Sequence, residues 1–171
     1  MEFGSLKLLV GVLSDTHLHR VDEAERLAAV LLRGAFAEVE AILHAGDVVL
    51  PALEDYFYPL PWYGVRGNMD HSLSDLPISR IVTLQEKQIG MIHGWGSGVN
   101  FEQRVQAHFA DKQLDALVFG HSHAPLCKRV GDLLLFNPGS ATDRRSAPEH
   151  TVGLLKIEKG QPITGRIIPI D

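Results

Sequence analysis

The stretch LDALVFGHSH, Leu114–His123, decides how the chain must be read. Apart from Asp115, the residues up to Gly120 are apolar or small, and they run straight into His121 and His123. An apolar run without alternation is what a strand covered on both faces looks like. A core strand has no need of two imidazoles at its end, so the pair implies a ligand. In an α/β sheet a ligand site lies beyond the carboxyl ends of the strands, which is where this pair falls.

The same pattern recurs upstream. LKLLVGVLSD (6–15) is a short apolar run reaching Asp15, with His17 two residues on. AEVEAILHAGD predicts a strand over Ala41–His44 that ends in Gly46–Asp47, and PWYGVRGNMD carries a third strand into Gly67–Asn68. Residues 79–93, SRIVTLQEKQIGMIH, read as a hairpin about Glu86–Lys87 whose second strand ends at His93. Glycine stands immediately before Asp47, Asn68 and His121. A residue without Cβ allows a tight turn and close approach of the backbone there.

Helices fall between these runs. VDEAERLAAVLLRGAF (21–36) repeats Leu27, Val30, Leu31 and Gly34 at helical spacing, with acids early and Arg33 late. A short aromatic-bearing helical turn is expected over Leu53–Tyr58, between Pro51 and Pro59. Asn100 is expected to cap FEQRVQAHFADK (101–112), with Phe101, Val105, and Ala107 or His108 on one face. After Pro125 only short strands follow: LCKRV, DLLLF, TVGLLKI and ITGRIIPI. This order predicts an α/β protein of two packed sheets with helices on the outside.

Composition narrows the function. The 171 residues carry a net charge of −5, with 45% apolar and 22% charged residues. These values suit one globular domain over 6–171 and give no basic footprint for nucleic acid. Met1–Ser5, MEFGS, reads as a cloning remnant. No apolar run approaches the ~20 residues of a membrane span. A single cysteine, Cys127, fits a reducing compartment, so the cytoplasm is the expected location. A homo-oligomer is compatible with all of this.

The residues at the strand ends are Asp15, His17, Asp47, Asn68, His93, His121 and His123. Two carboxylates, an amide oxygen and four imidazoles, with no thiolate, suit Mn²⁺, Fe²⁺, Zn²⁺ or Ni²⁺. They are too many for one tetrahedral zinc. They suit two metal ions sharing a carboxylate, a pair ~3.5–4 Å apart that can clamp both oxygens of an in-line phosphoryl displacement.

The ordered motifs DTH, GD, GN, H and GHSH resemble those of the calcineurin-like metallophosphoesterase superfamily, over Val10 to Arg145. With GNMD and the later NPGS, the chain is most similar to the small bacterial and archaeal phosphodiesterases of the YfcE type. The resemblance implies a four-layer α/β/β/α sandwich of two packed mixed sheets. It implies one metal on Asp15, His17, Asp47 and His123. A second falls on Asp47, Asn68, His93 and His121, with Asp47 bridging. Catalysis is assigned to Asp47, Asn68 and His93, through attack of a metal-bridging hydroxide on a phosphodiester. The cofactor is expected to be two divalent ions, Mn²⁺ first, with Ni²⁺, Fe²⁺, Zn²⁺ or Mg²⁺ as alternatives, and the partner a small phosphate ester.

Where many relatives carry GNH, this chain has Met69, whose thioether cannot donate a proton to a leaving group. That points to diesters with acidic leaving groups, or to Asp70 or His19 as donor. His19, Met69, Asp70 and Ser140 are the candidate substrate contacts. His108 reads as a packed or surface residue, His150 as solvated, and Trp95 as part of a glycine-rich rim, His93–Gly98. Rival readings are a phosphomonoesterase or cyclic-nucleotide phosphodiesterase on the same site, and a protein-binding scaffold like the retromer subunit of this fold.

Overall fold

The computed structural model describes residues 6–71 and 75–171; Met1–Ser5, read above as a cloning remnant, lie outside them. The elements in chain order are β1 (Lys7–Leu13), α1 (Val21–Arg33), β2 (Ala41–His44), a 3₁₀ helix (Pro51–Phe57), β3 (Trp62–Gly64), β4 (Ser79–Leu84) and β5 (Lys87–Ile92). Then follow α2 (Phe101–His108), β6 (Ala116–Val118), β7 (Leu126–Val130), β8 (Leu133–Asn137), β9 (Thr151–Glu158) and β10 (Thr164–Pro169). Two five-stranded sheets result, in the orders β10-β9-β1-β2-β3 and β4-β5-β6-β8-β7. Both are mixed. β1, β2 and β3 run parallel in the first, and β5, β6 and β8 in the second, with antiparallel strands at the margins.

Strand alternation builds the layers. Val10, Val12 and Leu43 point between the sheets and meet Met91, Val118 and Phe136. The opposite faces of the same strands carry Leu13 and Ile42, which pack under α1 and the 3₁₀ helix against Ala24, Leu31, Phe36 and Phe57. On the second sheet Ile92, Leu117 and Leu135 pack under Val105 and Phe109. The sandwich is therefore α/β/β/α, as expected, and its central strands read as continuous apolar runs because both their faces are covered.

Several element boundaries differ from the sequence reading. α1 stops at Arg33, where the Gly34 N–H bonds back to the Leu31 carbonyl, and its buried face is Ala24, Ala28 and Leu31. Val30, expected on that face, is exposed. α2 ends at His108, not Lys112, and its inward row is Phe101, Val105 and Phe109, while Ala107 and His108 face out. Asn100 occupies the cap position without a side-chain capping bond. β1 and β6 stop at Leu13 and Val118, short of the residues that carry the chemistry. Among the described residues no helix is long and apolar enough to cross a membrane.

Candidate metal centre

Strands β1, β2, β3, β5 and β6 deliver Asp15, His17, Asp47, Asn68, His93, His121 and His123 to one rim of the sandwich. The chain must leave strand geometry to do this. Asp15, His17, Asp47, His121 and His123 all take positive φ, between 43° and 68°. A residue with a Cβ pays about 1 kcal/mol or more for that conformation, and such strain persists only where the surroundings enforce it. Here they do. The Asp15 N–H bonds to the Gly46 carbonyl (2.9 Å), and the His17 N–H to the Asp47 carbonyl (3.1 Å). The His121 N–H donates to Asp15 Oδ2 (3.0 Å).

The glycines at the strand ends make the approach possible. A Cβ on Gly67 would overlap the carboxylate and backbone nitrogen of Asp47, and one on Gly120 would overlap Ser14 Oγ and the Asp15 carboxylate. Gly46 has φ 98° and lies against the His93 ring.

The polar atoms then converge. Asp15 is fully buried; its Oδ2 accepts from Ser14 Oγ (2.7 Å) and His121 N–H, while Oδ1 is buried without any hydrogen-bond partner. That orphan oxygen faces Nε2 of His123 (3.2 Å), His17 (3.7 Å) and His93 (3.7 Å). Asp47 Oδ1 accepts the Met69 N–H (2.8 Å), and its Oδ2 faces Nε2 of His93 (3.3 Å) and His17 (3.5 Å). Asn68 Oδ1 lies 3.1 Å from His93 Nε2 and 3.3 Å from His121 Nδ1.

Hydrogen bonds behind the rings fix which nitrogen looks inward. His93 Nδ1–H donates to the Ala45 carbonyl (2.7 Å), and His123 Nδ1–H to the Asp143 carbonyl. A carbonyl only accepts, so each neutral ring presents a bare Nε2 to the cluster. Nε2 atoms of His17 and His123 stand 3.3 Å apart. Lone pairs and unpartnered carboxylate oxygens pointing at one another are stable only around a cation or a proton. Among the described residues two groups could hold a metal ion: Asp15, His17 and His123, and Asp15, Asp47 and His93. Asp15 is common to both groups, while Asp47 belongs to the second and also faces His17 of the first.

Without a metal, protons take that place. Burial opposes ionisation of Asp15, but the His123 and His17 imidazoles close to its carboxylate outweigh it and hold the carboxyl well below the usual range. Burial likewise opposes protonation of His93 and His123, and the carboxylates beside them, Asp47 and Asp15 respectively, overcome it and raise both. His121 is lowered, first by burial and then by the charge of His93. A histidine raised above its unfolded value of 6.5 adds stability that is full below that value and disappears as pH rises through the folded one. The Asp15 contribution, from a lowered carboxyl, is lost only in acid. Chelator-treated protein is thus expected to lose stability in urea as pH rises above about 6.5, the unfolded value of the two raised histidines, while its metal affinity rises in the same direction. A midpoint that climbs with pH in the metal-free protein would contradict this arrangement.

The candidate substrate contacts divide. Asp70 is buried, and its oxygens accept the backbone N–H groups of Asp47 (2.8 Å), Val49 (2.9 Å) and Gly67 (2.8 Å). It splints the Asp47 turn to the Asn68 turn. Ser140 is likewise tied to backbone: its buried hydroxyl donates to the Asp15 carbonyl (2.8 Å) and accepts the Asp143 N–H (2.9 Å). His19 is exposed, and Met69 is 48% exposed beside Asn68.

Asn137, which opens the NPGS motif, supports the site by donating to the Gly120 carbonyl (3.1 Å) and Ser122 Oγ (3.1 Å). Thr142 ties its hydroxyl to the Thr16 carbonyl (2.6 Å). His44 is neutral, its pKa lowered by burial to about 4. Its Nδ1 accepts the Gly46 N–H (3.2 Å), so Nε2 carries the hydrogen toward Thr16 Oγ1 (3.0 Å). Only the NPGS turn at Asn137–Ser140 gave a local signal for any of these.

Known proteins place this arrangement. A protein of Methanothermobacter thermautotrophicus named "Probable metallophosphoesterase" is 34% identical over 163 residues, covering 94% of this chain and 92% of the relative. In structure, a conserved uncharacterized protein of Streptococcus pneumoniae TIGR4 superposes with a TM-score of 0.76 at 24% identity, covering 96% of this chain and 91% of that one. Vps29 of Chaetomium thermophilum superposes with a TM-score of 0.70 at 21% identity, covering 94% and 92%. These two likenesses concern the fold. The calcineurin-like phosphoesterase superfamily domain matches residues 8–160, a span that holds every strand end described above, and the chain belongs to that superfamily.

Proposed function

We propose that the protein hydrolyses phosphodiesters with two divalent ions, one held by Asp15, His17, Asp47 and His123 and the other by Asp47, Asn68, His93 and His121. The observation that carries this reading is the buried Asp15 Oδ1, an acceptor without a donor, among inward-facing imidazole nitrogens. When bound, divalent ions supply a water of lowered pKa and neutralise charge building on the phosphoryl oxygens.

The chain's own residues set the rest. Asp47 keeps one oxygen on the Met69 N–H, so its other oxygen is held facing both halves of the cluster. The Nδ1 bonds of His93 and His123 lock the rings against rotation. Asp70, fully engaged as an acceptor, is not available as a proton donor, and Met69 has no proton to give. The ester must leave largely unaided, which favours diesters of acidic alcohols. Imidazole-rich coordination favours Mn²⁺ or Ni²⁺ over Mg²⁺. The reading places the enzyme in the cytoplasm, where its one thiol stays reduced.

The test is a panel of metal-loaded protein against aryl diesters, alkyl diesters and aryl monoesters. The aryl diester is expected to be turned over fastest with Mn²⁺; a strict preference for monoesters would overturn the diester reading. General-acid assistance is worth ~10²–10⁴-fold, most for basic leaving groups. Met69→His is therefore expected to raise rates on alkyl diesters more than on aryl ones. An unchanged slope of log rate against leaving-group pKa would assign the proton to another residue, His19 first.

A further inference from the structure

A cleft of about 490 Å³ opens beside the cluster, between the rim segment 96–99 and the turn 122–126. Its walls include Val99, Phe101, Pro125 and Leu126, and at its inner end stand His121 and Arg145. The Phe101 ring lies nearly parallel to that of His121, with centroids 5.9 Å apart and planes at 17°. The Arg104 guanidinium sits over Phe101 (5.6 Å) and donates to the carbonyls of Trp95 and Ser97 (each 3.1 Å), fixing the rim. Glu102, the acid in the wall, is paired with Lys128 (3.0 Å). Arg145 adopts a positive φ of 48° and reaches the His121 carbonyl with Nη1 (3.4 Å), so a cation is held where cleft and cluster meet.

From this continuity we infer that the cleft is the subsite for one ester group of the substrate, and that the group is apolar and flat, an aryl ring or a base of comparable shape. Anionic phosphorus then sits toward His121 and Arg145, while the ring slides between Val99 and Leu126 against the edge of Phe101. The inference rests on the phosphodiester reading above. It makes Leu126, Val99 and Arg145 specificity-determining residues. A dialkyl ester of small groups leaves these walls untouched.

The experiment uses two phosphinates that mimic diesters but have no ester bond to cleave, diphenylphosphinate and dimethylphosphinate, titrated calorimetrically into the Mn²⁺-loaded protein. Diphenylphosphinate is expected to bind about tenfold or more tightly, because one ring exchanges water for apolar walls. Leu126→Asn is expected to cut that preference to about threefold or less while leaving dimethylphosphinate affinity unchanged. Val99→Asn lies on the rim at a position 93% exposed, so it tests the same wall without threatening the fold, and a smaller loss is expected. Equal affinity of the two phosphinates in the unaltered protein would overturn the subsite and leave the phosphodiester reading standing. So would a preference that survives both substitutions. If neither phosphinate bound the metal-loaded protein, the phosphodiester reading would fail and the subsite with it.

Discussion

Asp47→Asn is expected to lower turnover of an aryl diester by at least about 10³-fold and to deplete bound metal from both positions. The substitution is nearly isosteric, and the Met69 N–H can still be satisfied by the amide oxygen that replaces Oδ1. What changes is the other atom. An NH₂ group then faces His17 Nε2 and His93 Nε2, now separated by 3.5 and 3.3 Å from a carboxylate oxygen. It offers hydrogens where a cation needs lone pairs, and it removes one of two negative charges shared by the cluster. The fold is expected to persist, because Asp47 lies beyond β2 and outside the inter-sheet core. Metal analysis, circular dichroism and diesterase assays on one preparation separate these effects. Retained metal with wild-type turnover would remove Asp47 from the centre altogether.

Gly67→Ala is expected to be nearly as damaging, from a position that ligates nothing. The added methyl would overlap Asp47 at both its carboxylate and its backbone nitrogen. A flexible side chain could swing away, but a backbone nitrogen cannot, and this one is held to Asp70, as is Gly67 itself. Something in the splint must break. Overpacking of this kind typically destabilises by about 1–3 kcal/mol, and a shift of even 1 Å in a positioned group can reduce catalysis by about 10²-fold. Both losses are expected together, a lowered unfolding midpoint and weakened metal binding. Gly67→Ala protein with unchanged metal affinity would show that the Asp47 turn tolerates displacement, contrary to the strained geometry seen there.

Much of the site was legible in the sequence because its signals are local. Each ligand-bearing residue closes an apolar run, and Gly46, Gly67 and Gly120 mark three of the turns. The backbone ties of Asp70 and Ser140 were not legible, for the opposite reason. Each is a polar residue in a turn near the site, and nothing local distinguishes a side chain facing substrate from one facing backbone groups brought in from 20 residues away or more. The inward row of α1 was misjudged because alanines carry little hydrophobic signal. Ala24 and Ala28 let the helix sit close to the sheet, whereas the bulkier Val30 points into water.

By itself the sequence determined the elements, the layering and the residue types at the strand ends, since strand and helix periodicities depend on neighbours a few positions apart. Only the tertiary structure decided which atoms meet. The inward Nε2 of His93 and His123 depends on carbonyls of Ala45 and Asp143, from a different strand end and a different loop. The shared position of Asp15 depends on β1 and β6 belonging to different sheets whose ends are brought face to face. Such placements follow from sheet packing and from backbone forced to positive φ, and both are properties of the assembled sandwich, invisible to any pattern read along the chain.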